Sequence, residues 1–172
     1  PLEPRYVGYN SYGQLGTGDT TNTLEMTRMP DVNGIVKYNQ KMYAGVVLTE
    51  GGAVWYWPVS ASDQTVTEMP YGVFEGEWLE MDDGDLVEGF TASPVTDVAA
   101  SGSSVSYMHW CAVLEYKNME CWGSNYYGQL GDGTRTNSLT QPVRVQGLPE
   151  GNITAMSLGY MFSCAIVDGR DA

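Results

Sequence analysis

Apolar residues in this chain come in short runs, broken every few positions by glycine, proline or asparagine. Cys111-Ala-Val-Leu-Glu-Tyr116 is one such run; a polar turn and a second run, Met119-Glu-Cys-Trp122, follow it. After a glycine-rich loop, Gln141-Pro-Val-Arg-Val145 alternates as a strand should, with Pro142 marking its start or an edge. Upstream, Tyr43 to Trp57 reads as a hairpin, because Glu50-Gly-Gly52 is a strong turn signal between two β-rich runs, and Leu24 to Met29 reads as a further strand. No segment sustains the apolar period of a helix. The pattern predicts an all-β chain of small antiparallel sheets.

The glycine-rich loop occurs twice. Gly8–Leu24 and Gly123–Leu139, 115 positions apart, are identical at 11 of 17 positions, among them Gly8, Asn10, Tyr12, Gln14, Leu15 and Asn22 of the first copy. Such density marks an internal repeat, and a repeat decides architecture before anything else. Glycine recurs where the backbone must take positive φ or pass close to another segment, and Leu130 is the lone aliphatic suited to anchoring the loop. The stretch Trp122-Gly-Ser-Asn-Tyr-Tyr-Gly-Gln-Leu-Gly-Asp-Gly, followed by Ile153-Thr-Ala-Met-Ser-Leu-Gly and Phe162-Ser-Cys-Ala-Ile-Val-Asp-Gly, resembles the repeat of the regulator of chromosome condensation family, of its secreted, disulfide-bearing type.

That resemblance implies a seven-bladed β-propeller with four-stranded blades. One degenerate repeat between the two clear copies sets the period at about 57, so the chain holds about three blades and is expected to be a fragment of the ring. Residues 1–30 are expected to end one blade, 31–95 to form a degenerate blade with an acidic insertion, 96–145 to form the best-preserved blade and 146–172 to begin the next. Trp57 to Val98 spans 41 residues where Trp122 to Ala155 spans 33, so the degenerate blade carries an insertion of eight residues, predicted as a surface loop. The best-preserved blade has four extra residues of its own between Gly102 and Cys111.

Charge sharpens the picture of that insertion. The net charge is −13, and residues 42–116 hold twelve acids and no lysine or arginine. Such a field disfavours nucleic acid and anionic membranes and favours a basic partner. Trp78, flanked by Glu75, Glu77 and Glu80, stands outside the repeat and is the expected contact residue of the loop. Asp82, Asp83 and Asp85 are weak metal candidates, since their spacing is not that of an EF-hand loop. No transmembrane stretch is present, so no membrane insertion is expected.

Cys111 and Cys121 lie on the two strands of one hairpin, and aligning the repeats on Trp122 and Trp57 puts Val46 and Tyr56 in their places. Paired presence and paired absence predict a Cys111–Cys121 disulfide. Cys164 aligns with Cys111, and its partner is expected ten residues on, beyond the last residue, Ala172. Disulfides persist in oxidising compartments, and Asn152-Ile-Thr154 is an N-glycosylation acceptor expected in a turn. Together they predict an extracellular or cell-surface glycoprotein. His109, the only histidine, is expected to have a structural role; alone it supports neither a His-based metal site nor a catalytic triad.

No cofactor or catalytic residue is expected. The expected function is a non-catalytic structural or adhesive scaffold binding a protein or glycan. The alternatives implied by the family are an exchange-factor-like propeller for a small GTPase and a secreted enzyme inhibitor; the tryptophan-bearing Gly-Trp-Arg-His-Thr motif of the plant ultraviolet-B photoreceptor is absent.

Overall fold

The structure is a computed structural model that describes residues 3–11, 15, 20–28, 34–42, 44–50, 52, 54–58, 79–81, 95–102, 105–115 and 118–169. Twelve strands run through the described residues: β1 (Arg5–Gly8), β2 (Thr23–Arg28), β3 (Ile35–Gln40), β4 (Ala44–Thr49), β5 (Val54–Pro58), β6 (Leu79–Met81), β7 (Val95–Ala100), β8 (His109–Leu114), β9 (Asn118–Gly123), β10 (Ser138–Arg144), β11 (Gly151–Leu158) and β12 (Ser163–Gly169). One short 3-10 turn, Val105–Tyr107, is the helical element among them. All pairings are antiparallel and sequential, giving the pair β1-β2, the four-stranded sheets β3-β4-β5-β6 and β10-β9-β8-β7, and the pair β11-β12. Pro142 falls inside β10, the outer strand of its sheet, where a missing N–H costs least.

The sheet β7–β10 is the centre of what is described, because both of its faces are covered. Successive side chains on a strand point to opposite faces. One set, Val98, Ala100, Trp110, Ala112 and Trp122, packs with Ala44, Val46, Leu48, Val54 and Tyr56 of the β3–β6 sheet. The other set, Ala99, Cys111, Met119 and Cys121, packs with Leu130, Leu158, Ile153 and Met156 toward β11–β12. That double burial explains why β8 and β9 read as nearly continuous apolar runs instead of alternating ones. Sheets stacked face to face with sequential antiparallel strands are the arrangement of neighbouring propeller blades.

The first of these interfaces is aromatic. Trp110 and Trp122 stack with ring centroids 6.3 Å apart, and Tyr56 meets them at 5.0 and 5.6 Å. Trp110 Nε1 donates to the carbonyl of Gly45 at 3.3 Å, and the Ala100 N–H donates to Asn39 Oδ1 at 3.2 Å, so polar bonds also tie one sheet to the next. Gly102 lets this junction close: a Cβ there would lie 2.8 Å from the Ala44 nitrogen. An ion pair between Lys37 and Asp97 (3.5 Å) also spans the junction, but its half-exposed partners contribute little. Burial of the three rings does most to hold the two sheets together, since truncating one buried tryptophan costs about 3–5 kcal/mol.

Candidate functional site

The repeated loop is built around a buried asparagine. In the second copy the Asn125 N–H donates to Asn137 Oδ1 at 2.7 Å, and Asn125 Oδ1 accepts from the Leu130 N–H at 2.9 Å. In the first copy the Asn10 N–H donates to Asn22 Oδ1 at 2.7 Å, and Asn10 Oδ1 accepts from the Leu15 N–H at 2.8 Å. Both asparagines are fully buried. Asn125 Nδ2 also donates to Asp132 Oδ1 at 3.0 Å and to the Thr136 carbonyl at 3.1 Å, which closes the loop on itself. Burial raises the pKa of Asp132, but bonds from the Thr134 N–H and hydroxyl and from Asn125 outweigh it, so the carboxyl is held below its usual value. These hydrogen bonds hold the loop in its own shape.

Behind the loop a second network joins the β7–β10 sheet to β12. The Ser163 hydroxyl donates to the Gln129 carbonyl at 2.8 Å, and His109 Nε2 lies 3.0 Å from Ser163 Oγ. Ser163 has one proton and a carbonyl can only accept, so His109 must be the tautomer that carries hydrogen on Nε2 and donates. Burial lowers the His109 pKa to about 4, with carbonyls of Tyr107 and Phe162 opposing the shift. The ring is therefore neutral at pH 7 and acts as a strut between sheets.

Cys111 and Cys121 are directly opposed in the β8–β9 register, and the structure joins them by a disulfide with Cα atoms 4.0 Å apart. Both are fully buried beneath β11–β12. Cys164 has a free, exposed thiol on the other side of β12 from Ser163 and Ala165. Asn152 is exposed, but it is the second residue of strand β11 and not part of a turn: its N–H and side-chain amide both donate to the Asp168 carboxylate, the latter at 3.3 Å. The sequence motif ended the turn one residue late, because Gly151 already pairs with Gly169.

Trp78, Glu75, Glu77, Asp82, Asp83 and Asp85 lie outside the described residues, and Glu80 is placed only as the middle residue of β6. Among the described residues no group of three or more His, Cys, Asp or Glu could hold a metal ion.

What the described surface does gather is tyrosine. Tyr107 in the 3-10 turn, Tyr126 and Tyr127 in the repeated loop, and Tyr160 in the β11–β12 turn meet at one end of the sheets. Tyr107 is their centre: its ring lies 5.4 Å from Tyr160, 5.6 Å from Tyr127 and 6.5 Å from Tyr126, and Tyr126 and Tyr127 touch at 5.0 Å. A hydrogen bond with Tyr127 raises the Tyr107 phenol above its ordinary pKa. Tyr126 is 65% exposed and the neighbouring Phe162 58%. A groove of about 290 Å³ adjoins them, lined by Tyr127, Phe162, Met119, Leu130 and Val145. Flat aromatics with polar edges, exposed and clustered, are the composition of a protein-contact patch. Sequence reasoning missed this patch, although a signal for it existed: Tyr107-Met108 and Tyr160-Met161 stand at the same distance before Cys111 and Cys164, so two of the four tyrosines hold one repeat position.

Residues 121–166 match the model of the regulator of chromosome condensation (RCC1) repeat. The chain is 27% identical over 160 residues, 92% of its length, to the E3 ubiquitin-protein ligase HERC2 of Homo sapiens, and equally to that of Mus musculus. It is 31% identical over 62 residues to the Rho GTPase-activating protein gacGG of Dictyostelium discoideum. Among solved structures, it superimposes on human WBSCR16 with a TM-score of 0.71 at 16% identity, covering 96% of this chain and 41% of that one. It superimposes on Prp20p of Saccharomyces cerevisiae with a TM-score of 0.65 at 17% identity, covering 95% and 39%. The chain spans about 3% of the length of the HERC2 proteins and about two-fifths of those propellers.

Fold and interfaces thus define a partial, all-β propeller. It is RCC1-like, and residues 121–166 are the part that matches the RCC1 repeat.

The same comparisons correct one expectation. An extracellular or cell-surface location is overturned, because the relatives Prp20p and HERC2 are intracellular nuclear and cytosolic proteins. The reason the cysteines misled is geometric. The β8–β9 register sets Cys111 against Cys121 whether the sulfurs are joined or reduced, so the pairing reports the sheet and not the compartment.

Proposed function

We propose that the chain is a non-catalytic propeller module that serves as a protein-interaction scaffold. The observation that carries this reading is the division of labour between polar and aromatic groups. Asn125 and His109, which would be the first candidates for chemistry, are buried and fully engaged in holding loop and sheets, whereas four tyrosines are presented together at one end. Similar propellers are also known in association with proteins: Prp20p is described with its binding properties to Gsp1p and histones, and yeast RCC1 (Prp20) in a complex with Kap60. HERC2 is an E3 ubiquitin-protein ligase of which this chain resembles about 3%, so that resemblance gives no reason to seek ligase chemistry in these residues.

The test is affinity capture by the intact chain from cell extract, with cross-links mapped by mass spectrometry. Cross-links from captured proteins should fall near Tyr107, Tyr126 and Tyr160, and the combined Tyr107→Ala, Tyr126→Ala and Tyr160→Ala variant should lose those proteins while keeping the thermal midpoint of a folded chain. Capture that is indifferent to the three tyrosines would remove the reading.

A second reading, an exchange-factor-like propeller for a small GTPase, rests on the similarity to Prp20p. A nucleotide-release assay with a labelled guanine nucleotide separates the two: acceleration of release by the chain would favour exchange, and an unchanged rate favours the scaffold.

A further inference from the structure

We propose that the chain assembles head to tail with a second copy of itself, β12 of one copy pairing along its open edge with β1 of the next. This goes beyond the scaffold reading and does not rest on it. The repeat shows what each end of the chain lacks. Shifted back by 115 positions, β9 and β10 fall on β1 and β2, and Cys111 of β8 lies 53 positions before its counterpart Cys164 of β12. The pair β11-β12 therefore corresponds to the first two strands of the sheet β7–β10, and the pair β1-β2 to its last two. Among the described residues each pair stops at two strands. β12 thus offers the edge by which β8 holds β9, and β1 the edge by which β9 holds β8. Joined, they make one four-stranded sheet in the order β11-β12-β1-β2. The chain covers about two-fifths of the propellers it superimposes on, so its two ends cannot meet within one copy.

The register follows from β8 and β9. Carried over, Cys111 opposite Cys121 becomes Cys164 opposite Tyr6, and Val113 opposite Met119 becomes Ile166 opposite Pro4. Cys111 and Cys121 have Cα atoms 4.0 Å apart, the narrow spacing of a pair that exchanges no backbone hydrogen bonds, and such pairs alternate with bonded ones. Ile166 and Pro4 thus form a non-bonded pair, where the N–H that proline lacks is not wanted, and the bonded positions fall on Glu3, Arg5 and Val7. Burial agrees with this placement. Tyr56 holds the place of Cys121 in its own sheet, and Trp122 packs on it at 5.6 Å. Val7 holds the place of Trp122, so in the joined sheet it lies over Cys121, against the groove that Met119, Leu130 and Val145 form with Ser163 and Ala165. On the other face, Cys164 and Ile166 take the places of Val46 and Leu48, which pack with Val98 and Ala100 at the described junction. In the joined sheet these two exposed side chains cover Val36 and Tyr38 of the second copy, exposed on the face of β3 turned away from β7–β10. Charge permits the contact: residues outside 42–116 hold nine acids and eight bases, so the ends that meet are nearly neutral. Because the two edges differ, the contact is heterologous and adds copies until it closes or runs on.

The test is light scattering coupled to gel filtration of the intact chain over a range of concentrations. The mass should rise with concentration from that of one chain to two and above. Val167→Pro removes an N–H directed at the open edge, because alternate residues of β12 face β11, and proline is tolerated on an edge strand. It should keep the thermal midpoint and weaken self-association by about tenfold, the effect of one lost backbone hydrogen bond. The register is read by a second variant. In air-oxidised Tyr6→Cys, mass spectrometry should find a disulfide joining position 6 of one copy to Cys164 of another, as Cys111 is joined to Cys121. Val7→Cys, one step out of register and on the opposite face, should give no such link. Should Tyr6→Cys fail to fold, loss of the larger species in Val167→Pro reads the same edge. A mass of one chain at the highest concentration would overturn the inference. So would larger species that form equally in Val167→Pro and never link position 6 to Cys164.

Discussion

The two copies of the loop share a sequence and an asparagine clamp, yet they sit in different surroundings. Asn10 and Asn125 make the same two bonds at nearly the same distances. Gly8 and Gly123, both at positive φ, are equivalent in conformation but not in space. A Cβ on Gly123 would lie 2.6 Å from the Met108 carbonyl and 2.8 Å from the His109 Cα, whereas one on Gly8 would meet nothing within 4 Å. Val7, at the position of the fully buried Trp122, is 45% exposed. Local sequence therefore builds the loop, and the neighbouring sheets decide how much of the protein's stability depends on it.

That contrast can be broken most sharply at its glycines. Gly123→Ala should lower the unfolding free energy by about 3 kcal/mol, combining backbone strain with an overlap that cannot relax. Gly8→Ala should cost about 1 kcal/mol, from strain alone. Urea unfolding of the two variants reads both values, and equal losses would show that crowding at Gly123 plays no part.

The disulfide gives the next largest effect. It closes a loop of ten residues, so replacing both Cys111 and Cys121 by alanine should destabilise the β7–β10 sheet by about 2–3 kcal/mol. Unfolding of the wild type with and without reductant should reproduce that difference.

The strut behind the second copy adds a pH dependence. His109 in the folded chain has a pKa of about 4, while on unfolding it returns to about 6.5. Between those values the unfolded chain holds a proton that the folded chain does not, so stability present above pH 6.5 is lost as pH falls toward 4. From pH 7 to pH 5 the loss should be about 2 kcal/mol, and His109→Gln should flatten it. An unaltered pH profile in the variant would show that the ring is already solvated. The smallest effect is expected at the tyrosines: Tyr126→Ala should leave stability within about 0.5 kcal/mol of wild type, because the side chain is mostly in water.

Much of this was legible along the chain. Alternating runs and turn residues placed the hairpins β4–β5 and β8–β9 nearly to the residue, since each strand's burial pattern is written locally. The repeat marked the loop through its glycines and Leu130. Asn125 and Asn137 went unassigned although both recur, because an asparagine in a glycine-rich stretch reads as turn chemistry until its buried partners are seen. The acidic insertion drew the functional expectation toward Trp78, which falls outside the described residues. The tyrosines that do cluster come from three separate segments, 53 residues apart at their widest, from Tyr107 to Tyr160.

By itself, the sequence determined the strand periods, the turns, the repeat and the net charge, because each depends on neighbours along the chain. Tertiary structure alone decided that Gly123 is crowded and Gly8 open, that His109 is a neutral strut, and that four tyrosines share one surface. Those properties belong to contacts between sheets, and a contact between sheets is fixed only when distant strands stack.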